Sequence, residues 1–410
     1  MSVVSEVISG GPPDHPGANP SPRLVVGALA LAVLVTGGTW MALQQDRTAP
    51  VHRGTPGSTA APPSPLLEVP ARPLRPTLTG VSAGGPSGLR LLAGGGALTV
   101  VDAESGARSP VKGVPLPPGR AFTQLLPIAG GTVVVVGDDQ SGGEIGPGWV
   151  YLLRPGRAPV ELVRADEVFL GARPGRLWGF VYPRQPGAKA TLVEVTTGGR
   201  LLSRRPVPQS WQPLADTGSG LLVAAYREEG PGELTLVDPM SLRVLRSLAQ
   251  VTYVAAATPR MAAWVICGGA TCDLVVGHLR AGPRRTFRLD ANDGIGRAVF
   301  SPDERRLAIA HFGLHGGERP GTPGFVELLD LETGQHTRVP GVGTPEKQAA
   351  DLSWSPDGRW LAIGVRWPED GYQRLGVWPV SGGPVVALPG SLPGGNVSAL
   401  LAVTSTGAAA

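Results

Sequence analysis

Lysine is nearly missing from this chain of 410 residues: only Lys112, Lys189 and Lys347 occur, and the other basic residues are arginines. The arginines are scattered, with pairs at Arg204-Arg205, Arg284-Arg285 and Arg305-Arg306 and no longer basic run. A nucleic-acid binder gathers positive charge on a stripe or a helix. With a net charge of only +4 spread in this way, no nucleic-acid partner is expected. The pairs read as solvated turns on a β surface. Helical periodicity is also missing outside the N-terminal region, which leaves an all-β body. Catalytic signatures are missing as well. No G-x-S-x-G elbow occurs, since Gly218-Ser219-Gly220 lacks the spacing. No P-loop, no G-x-G-x-x-G before a helix and no H-E-x-x-H is present. The chain is therefore expected not to be an enzyme and to need no cofactor or metal.

What is present begins with residues 24–43, twenty residues without a charge (LVVGALALAVLVTGGTWMAL). As a helix they would span about 30 Å, the thickness of bilayer hydrocarbon. Trp40 near the end suits a membrane interface. A cleaved signal peptide competes with this reading, but the preceding region is long and Trp40-Met41 occupy the natural cleavage zone. An uncleaved transmembrane signal anchor is preferred. The expected order is a short cytoplasmic tail (1–23), the anchor (24–43), a Pro-rich disordered linker (44–76) and a folded domain (77–410). Eight prolines in the linker favour extended chain, which reaches on the order of 100 Å.

Beyond the linker one unit recurs seven times. Its apolar cores begin near Leu91, Val133, Leu177, Leu221, Ala262, Leu307 and Leu361, spaced by 41 to 54 residues. Each is followed by a second stretch of alternating character that closes on a Gly- or Pro-bearing turn, as in ALTVVDAESGA, GELTLVDPMSL and FVELLDLETGQ. These read as half-buried antiparallel strands. Units of about forty residues with some four strands each are the arithmetic of a β-propeller. Seven blades must close into a ring, and the strand-like segment 396–404 (NVSALLAVT), which no further core follows, is expected to complete the first blade.

Two units carry Ser-Pro-Asp before the core, in VFSPDERRLAIA and LSWSPDGRWLAIGV. Pro presets the turn, Asp bonds the backbone two residues on and Gly supplies a positive φ, so the motif is a hairpin device, not a site. These residues, with the strand VELLDLETGQ, resemble the repeats of TolB-like and WD40-like (PD40-type) propellers. The resemblance covers residues 78–404 and is best in the last two units. It implies a seven-bladed propeller outside the cytoplasm with protein partners at a cell envelope. The Arg-rich, Lys-poor composition matches a high-GC, actinobacterial type of bacterium.

Cys267 and Cys272 bracket a four-residue turn between two apolar strands and are expected to form a disulfide. So short a loop makes it a local clamp of roughly 2 kcal/mol. A bond of this kind belongs in an oxidising compartment, which places the domain outside the cell. Asp138, Asp139 and Glu144 lie in a Gly-rich stretch without EF-hand spacing and read as a solvated loop. His311 and His315 fall in the longest insertion, 311–324, and Trp367 precedes an exposed-looking Pro-Glu-Asp. These three form the candidate binding loops, because loops longer than a repeat requires often carry function. The expected function is that of a single-pass plasma-membrane protein presenting an extracellular propeller for protein binding or scaffolding. The alternative is a lactonase- or lyase-like propeller enzyme, for which Asp303, Asp351 or His311 would have to converge on the central channel.

Overall fold

The computed structural model describes residues 76–82, 85–138, 146–185, 188–227, 230–268, 271–280, 282–289, 294–312, 323–344, 348–367, 371–393 and 399–404. The expected tail and anchor, the linker up to residue 75, His315 and most of the insertion 311–324 lie outside them. Among the described residues no helix is long and apolar enough to cross a membrane.

Seven antiparallel sheets of four or five strands make up the body, one for each repeat unit, and establish a seven-bladed all-β propeller. Blade 4 shows the plan: Trp211–Asp216, Leu221–Ala225, Gly232–Val237 and Val244–Val251 pair in sequence from the innermost strand outward. The innermost strands of the others are Arg120–Ile128 in blade 2, Glu167–Leu170 in blade 3, Tyr253–Ala257 in blade 5, Gly294–Phe300 in blade 6 and Asp351–Trp354 in blade 7. Blade 1 takes its innermost strand from the other end of the chain. Ala399–Thr404 pairs with Leu89–Gly94 over six register positions, so the expected closure is observed. The N-terminal piece adds a second tie, since Thr77–Leu78 pairs with Val342–Gly343 and Leu78 is buried in the seam between blades 6 and 7.

The apolar core of each repeat becomes the second strand of its blade. Val133 to Val136 are fully buried, as are Leu221 to Ala224 and Leu307 to Ala310. A strand covered on both faces reads as a continuous apolar run instead of an alternation. The stretches read as half-buried second strands are the third strands, and they are more buried than that. Leu98–Asp102 and Gly232–Val237 each leave only one residue partly exposed. The reason is the neighbouring blade, which covers the second face. Full polarity appears only in the fourth strands, such as Arg108–Pro110. Buried side chains accordingly gather into seven clusters, one at each seam between blades.

The Ser-Pro-Asp segments join innermost to second strands, as their turn chemistry requires. Ser301 Oγ donates to Asp303 Oδ1 at 2.6 Å and accepts from the Arg306 amide at 3.0 Å. Ser355 and Asp357 repeat these bonds at 2.5 Å and, to the Trp360 amide, 2.9 Å. Gly358 supplies φ +69° there, whereas Glu304 adopts φ +57° at the matching position of blade 6. Glu304 is held by neighbouring blade 5, through Arg260 at 2.9 Å and Thr258 Oγ1 at 2.7 Å.

The arginine pairs are not simply solvated turns. Arg205 donates to the Pro239 carbonyl of blade 4, and Arg285 to the Glu332 carbonyl of blade 6. Charged donors on the outer strands thus stitch one blade to the turn of another.

Candidate functional site

Innermost strands begin, and second strands end, at the same face of the ring. Side chains from those two places therefore meet around one mouth of the central channel. In blade 2 the first residue of the innermost strand, Arg120, sits opposite the last residue of the second strand, Asp138. Their ion pair is 2.7 Å long and the Arg120 side chain is only 1% exposed. Burial pulls the Arg120 guanidinium below its ordinary value, opposed by the Asp138 charge. Trp149 packs beneath two guanidinium groups, Arg120 at 4.6 Å and Arg164 at 4.2 Å from its ring centre.

Blade 3 extends the network. Arg184 bridges Asp138 and Asp166, and Asp166 also accepts from the backbone amides of Tyr182 at 2.8 Å and Gly148 at 3.2 Å. Asp138 and Asp166 are thus neutralised by two arginines. Glu167 is different. Its Oε1 lies 2.6 Å from the Tyr182 hydroxyl with no cation in that contact. It is half-buried at the start of blade 3's innermost strand. Burial therefore holds it at about 8, against the opposing hydrogen bond from Tyr182 and helped by the nearby Asp166 charge. Burial likewise raises the Tyr182 phenol well above its ordinary value, and Tyr226 to about 12. Tyr226 in turn accepts from the Val254 amide of blade 5 at 3.4 Å.

The wall across blades 4, 5 and 6 contains a cavity of about 250 Å³. Its lining sets small side chains, Ala255, Ala256, Ala257 and Ala298, among Gln212, Tyr253 and Arg297, and its surface is almost evenly polar and apolar. Arg297 is bound to Asp351 of blade 7 at 2.9 Å, and Asp351 also accepts from Gln373 at 3.0 Å.

The three groups proposed to meet in an enzyme reading do not do so. Asp303 lies in a hairpin turn beyond Phe300, at the far end of its innermost strand. Asp351 is bound to Arg297 on the channel wall. His311 belongs to the strand Arg306–Phe312 and not to the insertion, and it is buried. Its Nε2 lies 3.0 Å from Glu327, which also meets His336 at 3.2 Å, and its ring stacks on Phe325 with centroids 4.3 Å apart. Trp367 ends the strand Trp360–Trp367, half-buried under the Arg374 guanidinium at 4.7 Å. Cys267 and Cys272 face each other across a hairpin and are joined by a disulfide. No group of three or more His, Cys, Asp or Glu fit to hold a metal occurs among the described residues.

The Glu167, Tyr182 and Tyr226 cluster was not anticipated from sequence, although a signal existed. Asp138, Tyr182, Tyr226 and Cys267 each stand five residues after the start of their repeat core, which is where a second strand reaches the channel mouth.

No protein-family model matches this chain, and none of the curated proteins matches it. Among solved structures, the periplasmic gluconolactonase of Pseudomonas aeruginosa is similar with a TM-score of 0.53 at 16% identity, over 77% of this chain and 99% of its own. TolB of Acinetobacter baumannii gives 0.45 at 13% identity, over 77% and 80%. A putative TolB from Agrobacterium tumefaciens gives 0.41 at 11%, over 67% and 96%. The gluconolactonase likeness supports the propeller fold, which the strand order already establishes.

Proposed function

We propose that this chain is a membrane-tethered propeller outside the cytoplasm that binds a protein partner at the cell envelope, with the channel mouth and wall as the binding surface. The observation that carries this reading is the cavity across blades 4–6. Its lining joins small apolar side chains to the polar groups of Gln212, Tyr253 and Arg297, and so offers both apolar contact and hydrogen bonds to a bound group. Elsewhere on the channel mouth and wall, the carboxylates Asp138, Asp166 and Asp351 are each tied to an arginine, which suits a rigid frame more than proton transfer. The tether rests on residues 24–43 and the compartment on the Cys267–Cys272 disulfide.

Proximity labelling from the intact chain in its native cell tests this. A recurrent envelope protein is expected, and its labelling should be lost in Ala256→Phe, which narrows the cavity, while the circular dichroism spectrum stays unchanged. Labelling with no recurrent partner would count against the proposal.

A second reading draws on one observation. Glu167, held protonated at neutral pH beside Tyr182, is the kind of perturbed group that acid catalysis uses. Lactone hydrolysis by the purified chain that is abolished by Glu167→Gln would replace the binding reading with this one.

A further inference from the structure

We propose that the outer rim of blades 3, 4 and 5 is a docking surface for an anionic lipid bilayer. The proposal stands on the rim itself and needs no anchor.

Charge is distributed unevenly around the ring. Residues 167–289 hold fifteen basic against eight acidic residues, although the whole chain is only +4. Eleven arginines in that span are exposed, eight of them on the fourth strands or in the turns leading into them. The described carboxylates there are half-buried and engaged: Glu194 with Arg176, Glu233 with Ser247, Asp273 with Arg288, and Asp216 and Asp238 within turns. Arg227, Arg260 and Arg288 are ion-paired with Glu233, Glu304 and Asp273, and the other exposed arginines carry the net positive charge to solvent.

Apolar side chains stand among these arginines. Met240, Val244, Leu245 and Leu201 are 66%, 58%, 53% and 52% exposed. All four lie on the fourth strands of blades 3 and 4 or in the turn that leads into blade 4's fourth strand. Inter-blade bonds show that the rim is continuous. Arg205 of blade 3 reaches Pro239 and lies 3.1 Å from the Met240 sulfur. Arg246 of blade 4 reaches the Leu279 carbonyl of blade 5, and Arg284 returns to the Leu248 carbonyl at 2.8 Å. A carbonyl occupies one edge of a guanidinium but does not cancel its charge, so Arg246 and Arg284 still present theirs outward.

A soluble polyanion would be satisfied by the arginines alone and gains nothing from exposed Met, Val and Leu. A bilayer surface uses both, with headgroup charge meeting arginine and apolar tips entering the headgroup boundary. That combination selects the lipid surface.

The test uses the full chain carrying Val244→Cys, labelled with an environment-sensitive fluorophore. The native cysteines are joined to each other and do not compete for label. It is reconstituted with phosphatidylcholine vesicles with or without phosphatidylglycerol, the acyl chains brominated as quenchers. Quenching at position 244 is expected only with the anionic lipid. It should be lost in high salt and in the triple variant Arg200→Ser, Arg243→Ser, Arg280→Ser. A label at Ser109→Cys, on the exposed fourth strand of blade 1, should stay unquenched. Equal quenching at 109 and 244, or quenching at 244 indifferent to lipid charge, overturns the proposal. So does a response to soluble dextran sulfate without lipid quenching, which would assign the rim to a soluble polyanion. Flotation with the neutral vesicles separately reports the anchor, so failure of the tether and failure of the rim are distinguishable.

Discussion

Glu167 keeps its proton at neutral pH because the channel wall takes away the water that would solvate its charge, and Tyr182 offers one hydrogen bond in place of that hydration. The consequence for stability has a definite sign. With its folded value raised to about 8, the folded chain holds a proton that the unfolded chain has released above its ordinary 4.5. Stability contributed by this group is complete below that ordinary value, falls as pH rises between the two, and is level beyond about 8. Denaturation midpoints measured from pH 5 to 9 should show this decline in the parent and lose it in Glu167→Gln. A parent that is flat from pH 5 to 8 would remove the argument. Asp357 works in the opposite sense. The Ser355 hydroxyl and the Arg359 contacts outweigh its burial and lower it to about 2, so its contribution is lost only in acid below its ordinary value of 3.8.

At the scale of single elements, the blades are joined by polar bonds as well as by apolar packing. Gln124 on the innermost strand of blade 2 shows this most clearly. Its side-chain amide donates to the Val168 carbonyl at 2.7 Å and accepts from the Val168 amide at 2.9 Å. It thereby acts as a short extra strand between the innermost strands of blades 2 and 3. Trp354 Nε1 does the same service toward the Val299 carbonyl at 3.0 Å, and Ser353 Oγ accepts from the Ala402 amide at 2.9 Å. A backbone group left unpaired in such a place costs roughly 1–3 kcal/mol. Gln124→Leu keeps the volume and strands both groups of Val168, so it should lower the urea-unfolding free energy by about 2 kcal/mol or more. A change below about 0.5 kcal/mol would mean that water replaces the amide there.

For the whole molecule, closure decides stability. The last strand supplies the innermost edge of blade 1, and its side chains Leu400 and Ala402 pack toward blade 7 while Leu401 and Val403 pack toward blade 2. Deleting residues 393–410 opens two seams at once, and the thermal midpoint should drop sharply by calorimetry. An unchanged midpoint would show that the ring does not depend on its clasp. Reducing the Cys267–Cys272 bond concerns one hairpin of blade 5 and contrasts with this, because a loop that short contributes only roughly 2 kcal/mol.

Repeat period, apolar cores and turn residues were enough to read seven blades, their approximate starts, the ring closure and the facing cysteines. Those features are local, or recur at fixed distance along the chain, and so leave a pattern in one dimension. The chemistry of the channel mouth does not. Asp138 with Arg184, Arg297 with Asp351, and Tyr226 beside Val254 are brought together by the circular arrangement of blades. The same arrangement hid the true burial of the third strands and gathered scattered arginines onto one rim, while pairing within blade 6 withdrew His311 from the loop assigned to it. Sequence spacing determined the ring. Which residues face its channel, its seams or its rim was decided only when each sheet met its neighbours, because burial on the second face of every blade is a property of the pair.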